Sequence, residues 1–265
     1  MKKTRLTKKE LKTIINLIKK GNSLNSIVKL TGKNKTTIYY HFREIKGRVY
    51  PKIKLNQRFT EKEGEIVGIF AGDGSQYFDP KGYHYQVNIH FGSKNKDYVF
   101  YVKNLFEDYF NHKFNFFEDK KRHTIRLRIN SKKVFNYFKH YLDYNSKTKH
   151  STVKLKSLNL PKEFIIGFLR GLIDTDGSVL YNKYENGINV SFCTTSLELI
   201  NQVKQVFDEY NFKYSYFVRK HKSYKDLHNI KLWKRSVEPF LNHIKPFKVK
   251  RLGPVSQPGN IKVRK

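Results

Sequence analysis

The sequence predicts an α+β protein, in which a small all-α domain precedes two fused copies of one unit related by a pseudo-twofold axis within a monomer. Three observations carry this expectation. Apolar residues fall at helical spacing through residues 1–46. From residue 61 onward the chain repeats itself at an offset of about 100 residues. Inside each copy, helical stretches alternate with runs of apolar–polar alternation, giving the order helix, strands, helix, strands, helix.

The first domain reads as three short helices. Leu6, Leu11, Ile14, Ile15, Leu17 and Ile18 share one helical face, and Gly21 stops it. Ser23 is placed to cap a second helix carrying Leu24, Ile27, Val28 and Leu30. Thr31-Gly32-Lys33-Asn34 is the break, and Lys35 to Ile45 form a third helix with Ile38, Phe42 and Ile45 inward. Two short helices around a Gly-containing turn, the second rich in basic and small polar residues, make a helix-turn-helix signal. That reading points Asn34, Lys35, Thr36, Thr37, Tyr40 and His41 at a major groove, with Arg43 near phosphate. Residues 47–60 follow as a linker, extended along a nucleic-acid backbone, because they lack a period and contain Gly47 and Pro51.

The repeat comprises residues 61–150 and 151–252. VKNLFEDY (102–109) aligns with VKQVFDEY (203–210), KFNFF (113–117) with KYSYF (213–217), and Asp73-Gly74-Ser75 with Asp176-Gly177-Ser178. Tyr83, Tyr85, Val87, Ile89 and Phe91 alternate with His84, Gln86, Asn88 and His90, so one strand face packs inward and the other carries hydrogen-bonding groups. Ile125, Leu127 and Ile129 alternate with Arg126 and Arg128, and Ile188, Val190 and Phe192 with Asn189 and Ser191. Such polar faces suit base edges and phosphates; Arg219 joins this expected DNA-contacting set. His221 and His228 are read as further polar-face residues, and Cys193 as a buried small side chain.

Charge sets the partner class. Of 265 residues, 54 are Lys or Arg and 22 Asp or Glu, a formal net charge of +32. Ordinary small domains carry magnitudes of about 2–8, so a polyanion is the expected counterpart. An aromatic share of 15% provides a core, which excludes a disordered basic tail. One cysteine excludes an intramolecular disulfide and a Cys-based zinc finger. No run reaches the ~20 apolar residues that cross a bilayer. The expected setting is cytoplasmic and nucleoid-associated, or an organelle matrix if the chain is organelle-encoded. The 253–265 segment, basic and without acid, reads as a phosphate-binding extension.

The sharpest motif is a pair of apolar helices that each end in acid-glycine, GEIVGIFAGDG (64–74) and FIIGFLRGLIDTDG (164–177). Gly64, Gly68 and Gly72 share one face, as do Gly167, Gly171 and Thr175. Each interior glycine costs about 0.5–1 kcal/mol of helix stability relative to Ala, so close approach of two backbones is the expected return. Facing stripes would bring Asp73 and Asp176 together at one end, where their repulsion calls for a shared divalent cation. Hard oxygen donors favour Mg²⁺ or Mn²⁺, with last-turn carbonyls, Gly72 and Thr175, and waters filling the shell.

The stretches IVGIFAGDG (66–74) and LRGLIDTDG (169–177) resemble the paired motifs of the LAGLIDADG homing endonucleases. The second is close to the family pattern; the first has Ala71 where the second has Asp174. The resemblance covers about residues 61–252. It implies an αββαββα fold per copy, saddle-shaped sheets on double-stranded DNA, and metal ligation by Asp73 and Asp176. Asp174 then reads as a structural polar residue. It also implies Mg²⁺-dependent cleavage of a long asymmetric site, and a lysine late in each copy near the metal. Lys149 and Lys250 are chosen for that role because they follow Asp73 and Asp176 by similar spans, with Lys147 and Lys248 as neighbouring rivals. The sequence-based reading is a site-specific double-strand DNA endonuclease. A non-cleaving transcription regulator and an RNA-splicing maturase on the same scaffold are the alternatives.

Overall fold

The structure, a computed structural model, describes residues 6–46, 53, 55, 58–80, 84–220, 223 and 225–252. Tyr83, His221 and the 253–265 extension lie outside the described residues, as does most of the expected linker. The chain divides into two compact units, Met1–Lys52 and Ile53–Lys265.

The N-terminal unit holds three helices, α1 (Lys8–Lys19), α2 (Leu24–Thr31) and α3 (Lys35–Lys46). Thr7 and Glu10 cap α1 reciprocally, and Ser23 accepts from the Ser26 amide to cap α2. Gly32 closes α2 at a φ of 64°, the left-handed conformation that glycine adopts without strain. Ile14, Ile18, Ile27 and Ile38 form the core, with Leu6, Leu17, Leu24, Val28 and Phe42 packed on it. Two expected core residues differ: Leu30 is 64% exposed and Ile45 37%. Both sit toward helix ends, beyond the reach of a core of four isoleucines.

The second unit contains the two copies. The first runs α4 (Glu61–Asp73), β1 (Gly74–Asp79), β2 (His84–Gly92), α5 (Lys96–Phe110), β3 (Asn115–Asp119), β4 (Thr124–Asn130) and α6 (Lys132–Tyr141). A connection follows, with a two-residue ladder of β5 (Leu142–Asp143) on β6 (Lys154–Leu155) around the short α7 (Lys149–Thr152). The expected boundary at residue 150 therefore falls inside α7 rather than in a loop. The second copy runs α8 (Lys162–Thr175), β7 (Gly177–Asn182), β8 (Gly187–Thr194), α9 (Leu197–Glu209), β9 (Tyr214–Arg219), β10 (Leu227–Leu232) and α10 (Lys234–Ile244). A 3-10 turn, Phe247–Arg251, follows α10 and is capped by Leu252, the last described residue. Each copy is αββαββα.

Each sheet is antiparallel, with orders β1-β2-β4-β3 and β7-β8-β10-β9. Val87, Ile89 and Leu127, their counterparts Val190, Phe192 and Ile230, and also Ile125 turn to the helices, as alternation predicts. Ile53 is buried in this core and Leu55 and Phe59 pack against it, so the end of the expected linker is core structure rather than an extended backbone contact.

Between the sheets, α4 and α8 pack backbone to backbone. A Cβ on Gly64 would overlap the Phe164 carbonyl, one on Gly68 the Phe168 carbonyl, and one on Gly167 the Glu61 carbonyl. The seam is also bridged by Arg170, whose guanidinium pairs with Glu61 and, at 3.2 Å, with buried Glu65, while Nε donates to the Ile244 carbonyl at 2.7 Å. Tyr101 donates a further hydrogen bond of 2.6 Å to Glu65.

Candidate active site

The glycine seam fixes the ends of α4 and α8, and the site is built there. Gly72 faces Thr175, and a Cβ on Gly72 would lie 3.2 Å from Asp176 Oδ2. Asp73 ends α4 and Asp176 caps α8, so the two motif acids meet at the base of the two sheets. Burial lifts the Asp73 carboxyl to about 7, with repulsion from Asp176 adding to it and the Lys248 and Lys149 ammonium groups opposing it. Burial raises Asp176 too, against the same two lysines. Ionisation of Asp73 is thus opposed by the charge of Asp176 beside it.

Two ammonium groups close the site from the connections that follow each copy. Lys149 donates to the carbonyls of Phe70, Ala71 and Gly72 at 2.9, 2.5 and 2.9 Å. Its own burial draws its pKa down to about 8, against the pull of Asp176 and Asp73. Lys248 donates to the carbonyls of Ile173 and Thr175 at 3.0 and 3.2 Å, and to that of Gly177. Of the two expected lysines, only Lys149 reaches the acid pair. Lys250 is exposed with its ammonium 4.8 Å from the centre of the Phe247 ring; Lys248 holds the position matching Lys149. The 3-10 geometry explains the correction. Three residues per turn put Lys248 on the α8 side of the turn and Lys250 on the solvent side. Lys147 is exposed.

Asp174 sits behind Lys248. It is 4% exposed and accepts from the amides of Phe247 and Lys248 at 2.8 and 2.9 Å. A cavity of about 350 Å³ opens beside these groups, lined by Asp73, His90, Tyr98, Asp174, Thr175 and Lys248 among others. His90 enters it from β2, with Nε2 2.9 Å from Ser75 Oγ. Its imidazole is held below its ordinary pKa by burial, with Arg126, Arg128 and Lys149 adding to this. Sequence reasoning took His90 for a polar-face residue and missed its place beside Asp73; the signal was its spacing from the motif strand, since β2 pairs antiparallel with β1.

Oxygen donors suited to a hard divalent cation are present: two carboxylates and the carbonyls of Gly72 and Thr175. Those carbonyls already accept from Lys149 and Lys248. No group of three His, Cys, Asp or Glu gathers among the described residues. The donor set therefore fits a cation that takes one or two carboxylates and completes its shell with substrate phosphate and water, as Mg²⁺ does.

The remaining expected residues spread over the sheets. Arg126 and Arg128 stand over the Phe117 ring at 5.3 and 5.1 Å, beside exposed Phe116. Asn88 is a correction: it is buried, donates to Gln86 at 3.1 Å and accepts from Arg128 Nε at 3.1 Å, so it props Arg128 instead of meeting solvent. Asn189 and Ser191 are half-buried on β8, and Arg219 and His84 are exposed. His228 pairs with the Tyr216 hydroxyl at 2.8 Å. Cys193 is half-buried rather than buried, with Sγ 3.8 Å from the Asp176 carbonyl. In the N-terminal unit, Asn34, Lys35, Thr36, Tyr40 and Arg43 are exposed, Thr37 and His41 half-buried. His41 lies 3.5 Å from Glu44.

Residues 163–245 match the model of the LAGLIDADG-like domain family. The uncharacterized protein MJ0314 of Methanocaldococcus jannaschii is 27% identical over 179 residues, which span 65% of this chain and 63% of that protein. Among solved structures, I-DmoI in complex with DNA and Ca superposes with a TM-score of 0.53 at 19% identity, covering 71% of this chain and 91% of that one. Mesophilic variants of the homing endonuclease I-DmoI give 0.52 at 19% identity, over 70% and 96%. At these identities the likeness is one of fold.

Proposed function

We propose that this chain, whose core has the LAGLIDADG fold and whose residues 163–245 belong to the LAGLIDADG-like domain family, is a site-specific double-strand DNA endonuclease using a divalent cation. The observation that carries the reading is the meeting of Asp73 and Asp176 at the foot of the glycine seam, each copy adding one lysine, Lys149 and Lys248, at the same place. A purely structural seam gives no reason to gather two acids and two ammonium groups at one place.

The chemistry follows from what these groups do. Asp73 and Asp176 would hold the cation, the Gly72 and Thr175 carbonyls being taken by the two lysines; when bound it neutralises the acid pair and polarises a scissile phosphate. Lys149 and Lys248 present positive charge where negative charge grows on the phosphate. His90 offers a ring nitrogen to a water or phosphate oxygen in the cavity beside Asp73. Arg126, Arg128, Asn189, Ser191 and Arg219 supply backbone and base-edge contacts along the two sheets, with Asn88 and Gln86 orienting Arg128 from behind. The helix-turn-helix-like N-terminal unit would add Asn34, Lys35, Thr36, Thr37, Tyr40, His41 and Arg43 to a second stretch of the target, which raises affinity by effective concentration. The target is then long and asymmetric, and one chain suffices to engage it.

The test is incubation with a library of duplexes plus Mg²⁺, followed by sequencing of cut ends. Reproducible double-strand breaks at one sequence, lost in EDTA and in Asp73→Asn and Asp176→Asn with binding kept, are expected. Binding without breaks in Mg²⁺ or Mn²⁺ would replace the nuclease with a DNA-binding regulator, and cutting that survives EDTA would overturn the metal-dependent mechanism.

A further inference from the structure

The two copies hold their lysines by different means. In the first, Lys149 opens α7, a turn closed by its own backbone through the Val153 amide at 2.9 Å, and its ammonium rests on carbonyls 70, 71 and 72. In the second, Lys248 rests on carbonyls 173, 175 and 177. At the motif offset of 103 residues these correspond to 70, 72 and 74, so Lys248 reaches two residues further toward the strand than Lys149 does. The Phe247–Lys248 backbone that sets this reach has its two amides on the Asp174 carboxylate. The matching residue in the first copy is Ala71, also buried at 3% exposure. The helix seam thus accommodates a methyl group at this place as well as an acid. The Phe247 ring has a separate hold, packing 5.3 Å from Tyr98 and 4.9 Å from Tyr101.

We propose that Asp174 is a positioning residue for Lys248: by gripping the Phe247 and Lys248 amides it sets how far the ammonium extends toward the acid pair, and only one of the two lysine arms depends on it. This rests on the nuclease reading for its effect on cleavage, but not for its effect on Lys248 itself. Losing the grip leaves two half-buried amides short of their carboxylate acceptor and frees the turn to shift. A displacement of about 1 Å at a reacting centre can cost about 100-fold in rate. With two arms of which only one is displaced, the loss falls on one DNA strand.

The experiment uses the full chain and two variants, Asp174→Asn, which keeps the volume but turns an NH₂ toward one amide, and Asp174→Ala, which copies Ala71. Competitive acetylation with acetic anhydride, read by mass spectrometry, reports how well each lysine is held. Lys248 labelling is expected to rise about fivefold, the factor for one lost hydrogen bond, with Lys149 unchanged. On duplex labelled on each strand, one strand is expected to be cut about tenfold more slowly and nicked product to accumulate. Lys248→Met should show the same strand bias, and Asp174→Asn should add nothing to it. Unchanged Lys248 labelling, equal gains at Lys149, equal slowing of both strands, or additivity with Lys248→Met would each overturn the proposal. So would unfolding of the Asp174→Asn protein, since it would make the role structural. If the unaltered chain cuts no DNA, the nuclease reading fails while the labelling still decides the role of Asp174.

Discussion

Gly68 and Phe168 meet backbone to backbone: a Cβ on Gly68 would overlap the Phe168 carbonyl oxygen and lie 3.1 Å from the Gly171 Cα. The contact belongs to the seam that brings the two acids together, so it can be tested by stability as well as by activity. Gly68→Ala gains about 0.5–1 kcal/mol of helix propensity but forces the helices apart, and such overpacking costs about 1–3 kcal/mol. The clash is with backbone, which has no rotamer to yield, so the net expected result is lower stability in urea unfolding. Cleavage should fall further than stability does, because the acid pair is spread.

Substitution at the acids should separate chemistry from fold. Asp73→Asn removes a carboxyl that the apo protein holds at about 7, so it should raise the apo melting temperature at pH 8. The same change should abolish cutting while duplex binding in a gel-shift assay stays near that of the parent.

The pH dependence of stability has a definite sign. Asp73 binds its proton more tightly folded than unfolded, its ordinary value being 3.8 and its folded value about 7. Its contribution therefore favours the folded state at low pH and is progressively lost as pH rises from about 4 through 7. A divalent cation held by the acid pair would reverse this. Mg²⁺ or Mn²⁺ should raise the melting temperature more at pH 8 than at pH 5.5, and this difference should vanish in Asp73→Asn.

The two candidate lysines of the second copy should part company. Lys248→Met is expected to slow cleavage by about 100-fold or more, the range for removing a charge aimed at a transition state, with little change in binding. Lys250→Met should cut at nearly the parental rate, since its ammonium faces Phe247 rather than the acids. Single-turnover assays on a cognate duplex would show the split.

Removal of Met1–Lys52 should leave a folded core, because Ile53–Lys265 is a compact unit of its own. Binding should weaken and depend less steeply on salt, since fewer counterions are released. Cleavage at saturating protein should persist.

Much of this site was legible in the sequence because it rests on spacing. Glycines four apart declare a helix face whatever surrounds them, and the offset between the copies pairs Asp73 with Asp176. Strand alternation likewise placed Ile125, Leu127 and Ile129 in the core and Arg126 and Arg128 on the opposite, half-buried face. Lys248 was misjudged because equal spacing was assumed in a segment where the copies differ: α7 on one side, a 3-10 turn on the other. Asn88 was misjudged because alternation assigns a face but not depth, and two neighbouring polar side chains cover it. The grip of Asp174 had no local signal, since its partners lie more than 70 residues away.

Arg170 gives the molecule a handedness of partnership. Its counterpart in the first copy is Val67, and Glu65 has Phe168 as its own counterpart. Two first copies laid together would strand Glu65 against an aliphatic chain; two second copies would press Arg170 against a phenyl ring. Either leaves a buried charge without its counter-ion, a penalty of about 3–5 kcal/mol. The halves are thus complementary, like a plug and a socket. Split into separate polypeptides, they would find one another before they found themselves.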